Sequence, residues 1–267
     1  MAIRRSTGLR NGFAGGFGLR ELLRDGKLLV YSGSQPSSAD DAPAGTLLVT
    51  YTLSGGAFTP PVRSAAKFTI AGGSGSIDTV KVGGMTFNLL SAAVPYNAST
   101  TQTATDVAAN INARQNPLNI VADTSGSDVR LYLPYWLGAL GDTLSLAVTA
   151  TTLTAQINGG SSTAFGGTGA PNAGTTAVNG LNFLFPAVAG ALSKEATIWQ
   201  GTAVETGTAG WFRFVAGGSS ESGSSTTDIR FDGNVGTSGA DLNLSSTAIT
   251  SGAVQSISGF TLTIPIS

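Results

Sequence analysis

ATIWQGTAVETGTAGWFRFV (196–215), DIRFDGNVG (228–236), ADLNLSS (240–246) and GFTLTIP (259–265) alternate apolar and polar residues along the last third of the chain. Trp211 faces away from Phe212, and Phe212 and Phe214 share a side. Ile229 and Phe231 share a side, opposite Arg230 and Asp232. Leu242 and Leu244 alternate with Asp241 and Asn243, and Phe260, Leu262 and Ile264 with Thr261 and Thr263. Successive side chains of a strand point to opposite faces, so a period of two marks a half-buried sheet. Clusters of Gly, Ser, Asn and Asp between the segments supply turns. These strands need partners, and two candidates lie far upstream. KLLVYSG (27–33) reads as a strand, and so does TLLVTYTL (46–53), with Leu47, Val49, Tyr51 and Leu53 opposite Thr50 and Thr52. We expect 27–63 to pair against 196–267.

Composition narrows the function. The chain has 267 residues, enough for one large or two small domains at roughly 100–200 residues each. Only 11% are charged, against about 25% in ordinary globular proteins. Hydrophobic residues make up 41%, so the 37 glycines do not signal a disordered chain. A weakly charged exterior suits contact with other protein, and it also suits an all-β protein with an uncharged surface. The absence of Cys and His removes disulfides, thiol chemistry, the usual zinc ligands and the commonest general base. A net charge of −1 argues against nucleic acid as a partner. No apolar run reaches the roughly 20 residues of a membrane span. Arg4 and Arg5 precede no apolar core of the secretory type.

Residues 1–18, MAIRRSTGLRNGFAGGFG, read as an arm. Arg4, Arg5 and Arg10 alternate with Leu9, Phe13, Phe17 and glycines, so the segment is expected to lie on a neighbouring surface or to fray. Leu19, Leu22 and Leu23 mark one short helical turn, with Gly26 as its stop. From Ser64 the pattern changes, after the extended Pro60-Pro61 connection. KFTIAGGSGSIDTVKVGGMTFNLL (67–90) reads as two or three strands with GGSGS as a hairpin turn. TQTATDVAANINARQ (101–115) reads as a helix. Ala104, Val107, Ala108 and Ile111 lie on its one face, Thr103 and Asp106 resemble a capping box, and Pro117 ends it. NIVADTSGSDVRLYLP (119–134) is a hairpin around Ser125-Gly126-Ser127, and 143–159 adds more strand. Residues 159–180 read as a flexible return. The fold class expected is mainly β: an antiparallel sandwich or jelly-roll-like domain built from 19–63 and 175–267, with a small α+β domain inserted at 64–174.

Two segments carry a resemblance. LRELLRDGKLLVYSGSQPSSADDAPAGTLLVTYTL (19–53) and the run from WFRFV through DIRFDGNVGTSGADLNLSSTAITSGAVQSISGFTLTIP (about 209–265) resemble the two halves of a pattern in virion structural proteins of tailed bacteriophages. The features that carry it are YSGSQPSSADDAPAGTLL (31–48) and DGNVGTSGADLNLSST (232–247). In that family the halves sit close together; here about a hundred residues separate them, and those residues resemble small α+β modules of phage tail and other virion proteins. The resemblance covers roughly half of the chain and brings no catalytic residues. It implies a non-enzymatic part of a phage particle, located in the virion and homo-oligomeric, a trimer being one form, with major capsid or tail proteins as partners. A minor capsid or decoration protein is the first reading, a tail component the second, and a receptor- or carbohydrate-binding module the third.

Motifs that carry chemistry are few. GGSGS (72–76) lacks the Lys and following helix of a phosphate loop. Asp232, Asn234 and Asp241 offer oxygen ligands, yet no Glu closes a calcium loop, and Asx turns explain the same residues. Asp40 and Asp41 are adjacent and point apart, unlike a glycosidase pair. Trp136, beside Tyr132 and Tyr135 in YLPYWLG, suits packing or a protein contact first and a sugar platform second. No cofactor or metal site is expected. The interface candidates are Arg4, Arg5, Leu9, Arg10, Phe13, Phe17 and Trp136.

Overall fold

The computed structural model describes residues 3–114, 116, 118–188 and 190–263. The fold is mainly β, with 38% of residues in strands and 15% helical, in several antiparallel sheets. The chain divides into two compact units, Met1–Pro60 with Ala177–Ser267 and Pro61–Thr176. We call them the end unit and the middle unit. Pro117, Ile264 and Pro265 lie outside the described residues.

In the end unit the main sheet runs in the order Arg4–Arg5, Arg230–Gly236, Gly207–Val215, Lys27–Ser32, Leu47–Leu53, Trp199–Thr202, Val254–Ile257, every neighbour antiparallel. Phe212, Phe214 and Phe231 point to one face, where they meet Leu28, Val30, Tyr51, Trp199 and Phe260 in the largest core of the unit. The rings of Phe214 and Phe231 stack with centroids 5.2 Å apart, and Phe183 meets Trp199 edge-on at 5.6 Å. Each such pair adds about 0.5–1.5 kcal/mol beyond the area it buries. The alternation of 46–53 is interrupted. Val30 pairs with Val49 and Tyr31 with Leu47, so Leu48 is the extra residue of a bulge. Leu48 therefore joins the core beside Val49, and Leu47 turns to the other face with Tyr31.

That other face is covered as well, which corrects the half-buried reading. Leu29, Tyr31, Trp211 and Val215 form a second apolar cluster there. Arg213, Arg230 and Asp232 share this face and are all fully buried. The polar segment 33–46 lies over them: Arg213 Nη1 donates to the Asp41 carbonyl at 3.0 Å, and Trp211 Nε1 to the Ala44 carbonyl at 3.1 Å.

The N-terminal arm is also corrected. Arg4–Arg5 is an edge strand on Arg230–Gly236, and Thr7–Ala14 is a helix. Ser6 ties the two together. Its hydroxyl accepts from Leu9 N as the helix N-cap, accepts from Arg230 N at 3.0 Å, and donates to the Asp228 carbonyl. A Cβ on Gly8 would lie 2.4 Å from the Thr227 carbonyl oxygen, so this close approach needs glycine. The short helix Leu19–Leu22 ends through Leu23 and a left-handed Asp25 (φ 55) rather than at Gly26.

The middle unit has a four-stranded sheet, Thr154–Ile157, Ala65–Ala71, Asp128–Tyr132, Val121–Ser125, and a three-stranded one, Val94–Pro95, Ser76–Val82, Leu146–Thr151. Gly72–Ser76 is thus not a hairpin turn, because the strands it joins belong to different sheets. Gly75 (φ 105) makes the crossing possible, since a Cβ there would lie 1.9 Å from the Thr151 carbonyl. Thr152 (φ 66) likewise splits 143–159 into strands of both sheets. Helix Thr100–Ala113 buries Thr103, Ala104, Val107, Ala108 and Ile111. Its cap is Ser99, whose hydroxyl accepts from Gln102 N at 3.1 Å, and not the Thr103–Asp106 pair. The return segment is pinned rather than flexible: Phe165 is fully buried, and Val62 pairs with Thr175.

Candidate functional site

The polar layer under 33–46 is a fully buried charge cluster. Arg213 Nε and Nη2 donate to the two Asp232 oxygens at 2.8 Å each, with both side chains fully buried. Arg230 donates to Asp228 Oδ2 at 2.6 Å and to the Gly223 carbonyl at 2.9 Å. Burial pushes Asp232 upward, against the pull of Arg213, Arg230 and Arg4. Burial also pushes the Tyr31 phenol up to about 12, and its ring stacks on Trp211 at 4.5 Å. Arg213 and Arg230 each have a carboxylate partner in the fold, so the layer holds structure, although Arg230 Nε and the Gln35 amide are buried without hydrogen-bond partners. The remaining carboxylates of interest are taken by backbone. Asp40 accepts from Thr7 N at 2.7 Å and Thr7 Oγ1 at 2.6 Å, holding the first helix. Asp241 accepts from Asn234 N at 3.0 Å, and Asn234 Oδ1 from Asp241 N at 2.9 Å. Asp232 is on the strand, in the ion pair, and does not join them.

Glu195 is pushed up by burial, and its Oε1 has no hydrogen-bond partner. Lys194 beside it is pushed down by burial and donates to the Glu195 and Thr197 carbonyls at 2.8 and 2.9 Å. The two side chains do not pair. Among the described residues no three His, Cys, Asp or Glu gather as a metal site, and no helix is long and apolar enough to cross a membrane.

Of the interface candidates, Leu9 is withdrawn. It is 1% exposed in the core of its own chain. Arg4 donates to the Gln35 carbonyl at 3.2 Å, and Arg10 donates to Thr7 Oγ1 at 2.7 Å. Arg5 and Arg10 are exposed, and Phe13 and Phe17 are half-buried against the core. Trp136 is half-buried in the 3-10 run Tyr135–Thr143. It does not line the cleft of the middle unit, whereas Tyr132 and Tyr135 do.

An exposed apolar tip has no counterpart among the sequence-derived candidates. Leu184, Phe185 and Val188 protrude from the end unit, Phe185 at 76% and Val188 at 72% exposed. The LFPAV run (184–188) was its signal. The tip stands at the two-stranded sheet Ala191–Ser193 with Thr261–Thr263, and Arg20 sits 5.5 Å over the Phe185 ring. A second patch lies at the open edge of the main sheet, where Val254 of the last strand and Val204 are 60% and 58% exposed. The chain matches no protein-family model, no curated protein and no solved structure.

Proposed function

We propose that the protein is a non-enzymatic structural component of a tailed-bacteriophage particle, homo-oligomeric, and first of all a minor capsid or decoration protein. The observation that carries this reading is the apolar tip at Phe185 and Val188 on a chain with so little charge. Large apolar groups exposed side by side mark a surface that another protein covers. The strand Val254–Ile257, last in the main sheet among the described residues, supports it, because an edge beside an exposed Val accepts a further strand. A stable interface buries about 1,200–2,000 Å² in total, so tip, edge and the region of exposed Arg5 and Arg10 with half-buried Phe13 and Phe17 would each supply part of the contact area. The resemblance of 19–53 and 209–265 to virion proteins gives the context. In this reading the end unit is a sandwich-like scaffold built from both chain ends, and 61–176 is an α+β domain inserted in it.

Mass spectrometry of separated heads and tails tests the location. A decoration protein stays with DNA-free heads at high copy, and a tail component is absent from tailless heads. Light scattering tests the assembly: the chain should be an oligomer that Phe185→Ser with Val188→Ser dissociates. A wild-type monomer that is missing from purified particles would overturn the reading.

A further inference from the structure

One cleft of the middle unit has a composition that assembly does not require. It is an open depression of about 470 Å³, and Arg63, Val121, Asp123, Tyr132, Tyr135 and Asn172 are among its walls. Arg63 lies over the Tyr135 ring, 4.3 Å from its centroid. Its Nε is buried without a hydrogen-bond partner, and no carboxylate pairs with it among the described residues. The nearby acid is already engaged, since Arg130 Nε and Nη2 donate to the two Asp123 oxygens at 2.6 and 2.9 Å. The cleft therefore offers a cation without a carboxylate partner, one phenol ring, Tyr132, beside the Tyr135 ring that Arg63 already covers, and, at Asn172, an exposed amide.

Each wall narrows the ligand. An added peptide strand is disfavoured, although Val121–Ser125 is a sheet edge. Asn112 already takes both outward backbone groups of Ala122, donating to its carbonyl at 2.7 Å and accepting from its N–H at 2.8 Å. A bare anion would satisfy Arg63 and leave the rings unused. A neutral sugar would stack on a ring and leave the guanidinium unpaired. A pyranose that carries a carboxylate uses all of them: the acid on the guanidinium, the C–H face on the Tyr132 ring, a hydroxyl on Asn172.

We propose that this cleft binds an acidic saccharide, its carboxylate on Arg63 and its ring on Tyr132. The proposal does not rest on the assembly reading, and a chain that bound such a sugar while absent from particles would uphold one and sink the other. The test is calorimetry on the full chain with sialyllactose against lactose, tetragalacturonate against maltotetraose, and acetate alone. At least one acidic oligosaccharide should bind about tenfold or more tighter than its neutral counterpart, and far tighter than acetate. Arg63→Gln should erase that preference, Arg63→Lys should keep part of it, and Tyr132→Ala should weaken the acidic ligand while leaving the fold intact by circular dichroism. Equal binding of acidic and neutral sugars, acetate binding as tightly as the oligosaccharides, a preference that survives Arg63→Gln, or no binding of either acidic probe would overturn it.

Discussion

The two units place charged residues on alternating strands in the same way and treat them oppositely. In the middle unit, Lys67 pairs with Asp128 at 2.7 Å and Arg130 with Asp123 at 2.6 Å, all four side chains at least one-fifth exposed. In the end unit, Arg213 and Asp232 make the same kind of cross-strand pair at 2.8 Å, with nothing exposed. The difference is a lid of chain. Segment 33–46 crosses the end unit's second face and gives its carbonyls to Arg213 and Trp211. A charged residue at alternate positions thus fixes which face it takes, and a distant loop decides whether that face meets water. Exposed pairs contribute about 0–1 kcal/mol, whereas a buried pair broken on one side costs about 3–5 kcal/mol.

The two units differ most at Asp232. Asp232→Ala strands a buried guanidinium, and urea unfolding should show a loss of about 3–5 kcal/mol. A loss below 1 kcal/mol would mean the second face is wet. Gly8→Ala drives a methyl against the Thr227 carbonyl, and should cost about 1–3 kcal/mol by the same measurement while leaving the middle unit untouched.

Acid should act on both units. Burial alone would raise Asp40, Asp128 and Asp228. Hydrogen bonds and cations outweigh it and hold all three below the usual carboxylate range: Thr7 and Arg10 at Asp40, Lys67 and Thr69 at Asp128, Ser220 and Arg230 at Asp228. A depressed folded value means that the folded chain binds fewer protons. Its stabilising contribution is full above the unfolded value of about 3.9 and is lost as pH falls through the folded ones. Thermal scans should therefore show Tm falling as pH drops below about 4. A Tm that rises as pH drops below about 4 would contradict the assigned partners, whereas Asp232 and Glu195, raised by burial, act in the opposite sense above that range. The smallest effect belongs to Asp123→Ala, expected to cost less than about 1 kcal/mol. A cost equal to that of Asp232→Ala would erase the contrast between the units.

Much of this was legible in residue patterns. Alternation in WFRFV and DIRFDGNVG marked the strands and put Phe212, Phe214 and Phe231 on the core side. The apolar face of the helix was readable from its spacing. Local pattern carries no information about partners far along the chain, and the misreadings follow from that. Gly72–Ser76 has the composition of a turn, but only the pairing of Ala65–Ala71 and Ser76–Val82 shows that it links two sheets. Leu9 looked like an arm residue because its partners include Phe231, more than two hundred positions away. Tyr132 and Tyr135 drew attention in sequence, yet Arg63, which gives their cleft its charge, lies about seventy residues upstream.

Residues from both chain ends fold as one body around a sheet buried on both faces. Hydrogen exchange at rising denaturant on the intact chain tests it most directly. Amides of Lys27–Ser32, Leu47–Leu53, Gly207–Val215 and Arg230–Gly236 should lose protection together, in one cooperative opening. If Lys27–Ser32 and Leu47–Leu53 open at lower denaturant while Gly207–Val215 stays protected, the two ends are separate structures and the account fails.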